Sequence, residues 1–232
     1  MTDNLRGIFF KIIAVSIFTF MMAIIKATAG EVPTGQQVFY RAFFSMLVVT
    51  GWLAARGDLP GALRTSNVSG HIWRGLAGAV AMSLRFFAIG VLTFPEVTAL
   101  GFTTPLVLTI LAAVILGETV RAFRLITVTL GFFGVLIVLW PTINFSDERS
   151  TFELIGALAI LGSAALAALA HIFVRRLVVT ENTAQIVFYF SLLVTVLSLL
   201  SLPFGWVVPT FKASLMLIGA GLIGGVGQIF LT

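Results

Sequence analysis

The chain has 232 residues, of which 59% are hydrophobic and 10% charged, and it contains no cysteine. Soluble domains carry about 25% charged residues, so this composition excludes a water-soluble fold, and the lack of cysteine excludes disulfides and Cys-ligated metals. The net charge of +5 would indicate nucleic acid only if the basic residues shared one face. They fall between apolar runs instead, so no nucleic-acid partner is expected.

Apolar runs of about 20 residues recur along the chain, and each is long enough to cross a bilayer as a helix. Strands of a membrane barrel would be shorter and would alternate in polarity. The sequence therefore predicts an all-α polytopic protein of the inner membrane, embedded in the lipid bilayer. The eight predicted spans are 8–28, 36–55, 72–93, 96–117, 121–140, 153–175, 184–203 and 213–232.

The basic residues between the spans indicate an orientation. Most of them fall on the side of the N-terminus, and only Lys26, Arg149 and Lys212 fall on the other side. By the positive-inside rule, this bias predicts a cytoplasmic N-terminus. The residues assigned to the N-terminal side are Arg6, Lys11, Arg56, Arg64, Arg74, Arg121, Arg124, Arg175 and Arg176.

The first span also resembles a cleavable signal peptide, because Arg6 precedes it and Ala27-Thr28-Ala29 ends it. Its apolar run is long enough to span the membrane and seven further spans follow, so we interpret it as a retained helix.

A faint internal repeat relates two halves of the chain. Thr34–Tyr40 reads TGQQVFY and Thr183–Tyr189 reads TAQIVFY. The interpretation is two units, residues 1–141 with five helices and residues 153–232 with three. An odd number of helices per unit would insert the second unit upside down, as in many secondary transporters. Two units of five helices would give ten helices. Eight spans are present, so the sequence predicts a chain that lacks the last two helices of this plan. A chance match between aromatic-rich segments is the alternative.

Ionisable side chains inside spans are costly and usually functional. Arg41 and Arg85 would suit a carboxylate or phosphate group of a substrate, through charge-assisted hydrogen bonds. Arg41 lies near a helix end, so snorkelling to the interface is an equal alternative. His171 is a candidate proton relay or a packing residue with one hydrogen bond.

Further polar side chains are candidates for lining a substrate pathway, namely Tyr40, Thr104 and Gln228. Pro105 removes one backbone hydrogen bond from the fourth span, which predicts a kink or gate there. Glu118 is expected to tie a turn together with Arg121 and Arg124. Small residues predict close helix packing at Gly131, Gly134, Ala164–Ala170, Gly221 and Gly225.

Catalytic and metal-binding motifs are absent from the sequence, including H-E-x-x-H, G-x-S-x-G and the P-loop. We therefore expect no enzyme activity, no cofactor and no metal. The charge rings and filter motifs of channels are also missing.

The order and spacing of several short motifs resemble the EamA-type drug/metabolite transporter superfamily, and the region from Arg74 to Pro141 is similar to S-adenosylmethionine uptake members. The resemblance implies ten helices in two inverted five-helix repeats, a central cavity and alternating access. It also implies a small-molecule substrate such as an amino acid, a nucleoside or a drug-like metabolite, and it assigns Arg41 to the family's Arg early in the second helix. The motifs are Trp73–Leu76, Phe94–Leu100, Pro105, Leu116–Glu118 and Gly131–Gly134.

The predicted function is secondary transport of a small organic metabolite. A non-transporting membrane scaffold or assembly subunit is the alternative, favoured if the short second unit is natural. A homodimer is left open by the sequence.

Overall fold

Helices make up the architecture of this chain. The computed structural model describes residues 3–57, 59–62, 64–118, 122–140 and 148–231, and these residues include no β-strand. Arg121, Pro141 and Thr232, used in the predictions above, lie outside these residues. The helices are α1 Asp3–Thr28, α2 Thr34–Arg56, α3 Leu59–Ala62, α4 Val68–Val91, α5 Phe94–Gly101, α6 Thr103–Leu116, α7 Ala122–Leu139, α8 Glu148–Leu177, α9 Thr183–Leu199 and α10 Phe211–Leu231.

Six helical stretches of the described residues are long and apolar enough to cross a bilayer, and two shorter apolar helices, Ile126–Val138 and Thr183–Leu199, accompany them. Each of the eight predicted spans therefore contains an apolar helix. The prediction of an all-α polytopic membrane protein is confirmed.

Glycine ends two of the helices in a left-handed conformation. Gly57 follows α2 with φ 74° and Gly117 follows α6 with φ 68°. A residue without Cβ adopts this conformation at little cost, and its N–H then satisfies a free carbonyl of the last helical turn. The Gly57 N–H bonds to the carbonyls of Ala54 and Leu53.

The fourth predicted span is broken in two. α5 ends at Gly101, Phe102 separates the helices, and α6 begins at Thr103. Pro105 has no N–H with which to bond the carbonyl four residues earlier, so the helix is interrupted just before the proline. The break lies where the sequence predicts a kink.

The packing partners of the helices follow a two-fold pattern. α1 packs on α10, and α8 packs on α4 in the corresponding way. α2 packs on α10 as α9 packs on α4, and α2 and α9 pack on each other. Exchanging α1, α2 and α4 for α8, α9 and α10 therefore leaves these five contacts unchanged. This is the relation expected between two copies of a repeat, although the division at residues 141 and 153 stays a prediction.

The two equivalent loops lie at opposite ends of α4. Lys26, at the end of α1, donates from Nζ to the carbonyl of Leu92, just after α4, at 2.8 Å. Glu181, between α8 and α9, accepts from the backbone N–H of Ser66, just before α4, at 2.8 Å. α4 has 24 residues and is about 36 Å long. The loops that follow α1 and α8 are therefore separated by a membrane thickness, as in an inverted repeat. We call the end of the molecule that contains Lys26 the Lys26 end, and the opposite end the Glu181 end.

Glycines on α10 bring it close to α2. A Cβ on Gly221 would lie 2.7 Å from the carbonyl oxygen of Tyr40, and one on Gly225 would lie 3.0 Å from Cα of Ser45. The predicted close approach is confirmed there, and also at Gly131, where a Cβ would meet Leu106 at 2.6 Å. It is wrong at Gly134, which has open space around it, because that side of α7 faces away from its neighbour.

Candidate functional site

A cavity of about 210 Å³ lies between α1, α2, α4, α8 and α9. Five helices, three from the first predicted unit and two from the second, contribute to its wall. This is the place where inverted-repeat transporters bind their substrates. The lining residues are Phe18, Met21, Met22, Arg41, Arg74, Gly78, Ala81, Met82, Arg85, Phe86, Ser163, Ala167, Ala170, His171, Val174 and Phe190.

Three arginines line this cavity without an acidic side chain beside them. Among the described residues, neither Asp nor Glu contributes to its wall. Arg74 and Arg85 are eleven residues apart on α4, and at about 100° per residue this spacing puts both on one face of the helix. Arg41 comes from α2 and is 5% exposed.

Arg41 and Arg74 share one aromatic ring. The guanidinium carbons of Arg41 and Arg74 lie 5.9 Å and 3.6 Å from the centre of the Phe190 ring. Cation–π attraction therefore holds both charges in place. Nε and Nη1 of each arginine are buried without a hydrogen-bond partner, so four N–H-bearing atoms remain available for an acceptor.

Gly78 makes room for this arrangement. A Cβ at this position would lie 2.6 Å from Cε2 of Phe190 and 3.2 Å from Nη1 of Arg74. Any larger residue would displace the ring or the guanidinium, so the site depends on a residue with no side chain on the cavity face of α4.

Arg85 lies between this cavity and a second one of about 300 Å³, which shares Phe18 and Met22 with the first. The second cavity reaches the break between α5 and α6, where a Cβ on Gly101 would lie 3.5 Å from Nη2 of Arg85. Arg85 therefore lines both cavities.

The structure brings together some of the predicted site residues. Arg41, Arg85 and His171 line the same cavity, and His171 is exposed at its rim. Tyr40 and Gln228 do not line it. Tyr40 packs its ring against Phe39 and Phe44, and the carbonyl oxygen of Gln228 accepts a hydrogen bond from Ser45 Oγ at 3.1 Å.

Thr104 and Pro105 lie at the start of α6 and are not among the lining residues of either cavity. Oγ1 of Thr104 is buried without a hydrogen-bond partner. Glu118 forms its ion pair with Arg175 of α8, at 2.8 Å, and the structure describes neither Arg121 nor the side chain of Arg124. The described residues hold no group of three His, Asp or Glu side chains that could bind a metal.

Arg74 is a site residue that the sequence analysis missed. The sequence analysis placed it at the start of the span 72–93 and counted it only towards the orientation, but α4 begins at Val68, so Arg74 lies more than one turn inside the helix. The side chain of Asn67 accepts from the N–H of Gly70 at 2.9 Å and so starts the helix one turn earlier. The eleven-residue spacing from Arg85 is the signal that could have identified it.

Two glutamines at the same repeat position tie the predicted units together at opposite ends. Nε2 of Gln36 donates to the carbonyl of Val207 at 2.9 Å, and its Oε1 accepts from the N–H of Val207 at 3.1 Å. Nε2 of Gln185 donates to the carbonyls of Gly61 and Arg64, both at 2.8 Å. We call these the Gln36 clasp and the Gln185 clasp. The first joins α2 to the α9–α10 loop and the second joins α9 to the α2–α4 loop.

A buried carboxylate strengthens the Glu181 end. Oε1 of Glu181 accepts from Thr65 Oγ1, Ser66 N, Ser66 Oγ and Asn67 N at 2.8 to 3.1 Å, and Oε2 lies 3.6 Å from Nε2 of His71. Burial alone would raise the pKa of this carboxyl, but the hydrogen bonds from Thr65 and Ser66 outweigh it and hold the pKa below its usual value of 4.5. The Lys26 end has a lighter contact, in which Thr210 Oγ1 donates to the exposed Glu31 at 3.0 Å.

Comparison with known proteins gives a consistent family. The pseudopaline exporter CntI of Pseudomonas aeruginosa is 30% identical over 234 residues, which cover 97% of this chain and 77% of that protein. The S-adenosylmethionine uptake transporter of Rickettsia bellii is 24% identical over 231 residues, covering 95% of this chain and 75% of that one. A solved crystal structure matches the fold with a TM-score of 0.71 at 20% identity, covering 97% of this chain and 77% of its own. The model of the EamA-like transporter family matches residues 5–140. The resemblance noted in the sequence is thereby confirmed, and the chain belongs to the EamA-like transporter family.

Proposed function

We propose that this protein is a secondary transporter that moves a small organic metabolite with an anionic group across the inner membrane by alternating access. The observation that carries the proposal is the cavity with three arginines and no acidic side chain among its described lining residues. Arg41 and Arg74 bind the anionic group of the substrate. Arg85 contacts the part of the substrate that lies nearest the second cavity, and His171 contacts the substrate from the rim.

The unpaired nitrogens of Arg41 and Arg74 favour an anionic occupant. A buried donor left without an acceptor costs about 1–3 kcal/mol, and Arg41 and Arg74 each have two such atoms. A carboxylate or phosphate would accept from these nitrogens with the geometry that guanidinium groups prefer. Cation–π contacts with Phe190 keep the arginines in position before the substrate arrives.

The two clasps support alternating access. Each one joins the predicted units at a different end of the molecule, and both are closed in this structure. Release of the Gln36 clasp would open the cavity towards the Lys26 end, and release of the Gln185 clasp would open it towards the Glu181 end. With the N-terminus in the cytoplasm, as the basic residues predict, the Glu181 end is the cytoplasmic one.

Transport in proteoliposomes tests the proposal. The protein is reconstituted and assayed with a metabolite panel headed by pseudopaline and S-adenosylmethionine, the compounds for which two relatives are named. For a solute that moves, we expect Arg41→Gln and Arg74→Gln to reduce uptake at least tenfold, the effect of losing about 1.4 kcal/mol of binding. Arg175→Gln is the matched control, because Arg175 is exposed and outside the cavity wall.

Equal uptake by the Arg41, Arg74 and control variants would refute the assigned site. Absence of flux for every solute in the panel would count against transport itself.

A further inference from the structure

We propose that the substrate carries two separate anionic groups joined by an apolar body, one group bound by Arg41 and Arg74 and the other by Arg85. This inference rests on the proposed function and specifies the substrate class of the same site. It draws on the charge of the cavity wall, the positions of the guanidinium groups and the character of the surface between them.

The charge of the cavity wall calls for more than one negative charge. Three guanidinium groups face the cavity, and the described lining residues include no carboxylate to balance them. A substrate with a single carboxylate would leave two positive charges uncompensated in a region of low dielectric, where unpaired charges are costly. A dianion brings the site closer to neutrality.

The arginines form two binding points and not one. Arg74 lies over Phe190 at the level of Gly78, since its Nη1 is 3.2 Å from where a Cβ of Gly78 would be. Arg41 lies against the same ring. The backbone of Arg85 is seven residues beyond Gly78 on α4, which corresponds to roughly 10 Å along the helix axis. The guanidinium of Arg85 also reaches the second cavity, where its Nη2 lies 3.5 Å from where a Cβ of Gly101 would be, so we assign it to a separate binding point.

The surface between the two points is apolar and adaptable. Met21, Met22 and Met82 line the cavity together with Phe18 and Phe86. Methionine side chains are flexible and fit irregular apolar shapes, so this surface suits a flexible hydrocarbon or aromatic body better than a string of hydroxyl groups. A linear molecule with an anionic group at each end matches the arrangement.

Binding of matched monoanions and dianions tests the inference. The full chain in detergent is titrated with linear dicarboxylates from succinate to sebacate and with the monocarboxylates of equal length, by calorimetry. We expect the longer dicarboxylates to bind at least tenfold more tightly than their monocarboxylates. Arg85→Gln should abolish this preference by weakening the binding of the dicarboxylates, whereas Arg85→Lys, which keeps the charge and serves as the folding control, should retain it.

Equal affinity for the two series, a preference that survives in Arg85→Gln, or no binding of either series would overturn the inference. Counterflow of the same compounds separates it from the proposed function. Transport without a preference for two charges would refute the dianion and keep the transporter. A preference in binding with no transport of any bound compound would refute transport and keep the two-point site.

Discussion

The glutamine clasps give a prediction about which end of the protein opens. Gln36→Leu and Gln185→Leu remove the amide group and keep a side chain of similar size. Each glutamine makes two hydrogen bonds across the predicted units, at 2.8 to 3.1 Å. At about 1 kcal/mol net per bond, each substitution favours opening by roughly 2 kcal/mol, or about thirtyfold in population.

The two effects should be unequal. The Glu181 end keeps four further hydrogen bonds, all to the carboxylate of Glu181. The Lys26 end keeps one exposed hydrogen bond, between Thr210 and Glu31, and a ring contact between Phe39 and Trp206 at 5.2 Å between centroids. Gln36→Leu should therefore favour opening of its end by itself, whereas Gln185→Leu should open the other end only when combined with Glu181→Gln.

Cysteine labelling measures this opening directly, because the protein has no cysteine of its own. Ala167→Cys places a single thiol on the cavity wall, and a membrane-impermeant maleimide is added to one side of oriented vesicles at a time. Gln36→Leu should speed labelling from one side and the double variant from the opposite side. Gln37→Leu is the control, since the side chain of Gln37 donates to Ile25 and Thr28, which both belong to the first predicted unit.

Two results would refute the reasoning. One is faster labelling from the same side for both clasps, which would mean that they do not lie on separate pathways. The other is an effect of Gln37→Leu as large as that of Gln36→Leu, which would show that general loosening of the helices and not the clasp controls access.

Three other predictions concern packing, pH and the aromatic ring of the site. Gly225→Ala should lower the free energy of unfolding in detergent by about 1–3 kcal/mol, because its Cβ would lie 3.0 Å from Cα of Ser45. Gly219 lies on the same helix with open space around it, so Gly219→Ala should leave the free energy of unfolding unchanged or raise it slightly. The depressed pKa of Glu181 means that its carboxylate stabilises the fold above pH 4.5, the unfolded value. This contribution should be lost as the pH falls through the folded pKa, and unfolding curves of Glu181→Gln should lack that acid dependence; an unchanged dependence would contradict it. Gly78→Ala, whose Cβ would lie 2.6 Å from the buried ring of Phe190, should weaken substrate binding and also lower the unfolding temperature; a normal Kd would contradict the assigned geometry.

Part of the candidate site was predictable from the sequence. Arg41 and Arg85 stand out because a charge within an apolar run needs a reason to be there, and both line the cavity. Arg74 did not stand out, since it lies near the predicted start of a span. Its position depends on Asn67 and Glu181, which extend α4 by one turn at its beginning.

Other predictions depended on contacts between distant segments. Gln36 and Gln185 were visible in the sequence only as a repeated letter, and their partners lie 171 and 121 to 124 residues away. Gln228 and Tyr40 looked like polar handles for a pathway, but the fold uses the first to bond Ser45 and the second in an aromatic cluster. Sequence spacing along one helix cannot distinguish these uses, because it does not say which neighbour a face meets.

The sequence by itself determined that the chain lies in a lipid bilayer and that it is helical. It has 10% charged residues and apolar runs of membrane length, and in lipid such runs can satisfy their backbone hydrogen bonds only as helices. It also determined the family, through short motifs in a fixed order. The tertiary structure alone decided which charges meet. Arg41 of α2, Arg74 of α4 and Phe190 of α9 come from helices far apart in the chain, and only the packing of these helices, close at Gly78, gathers them around one cavity.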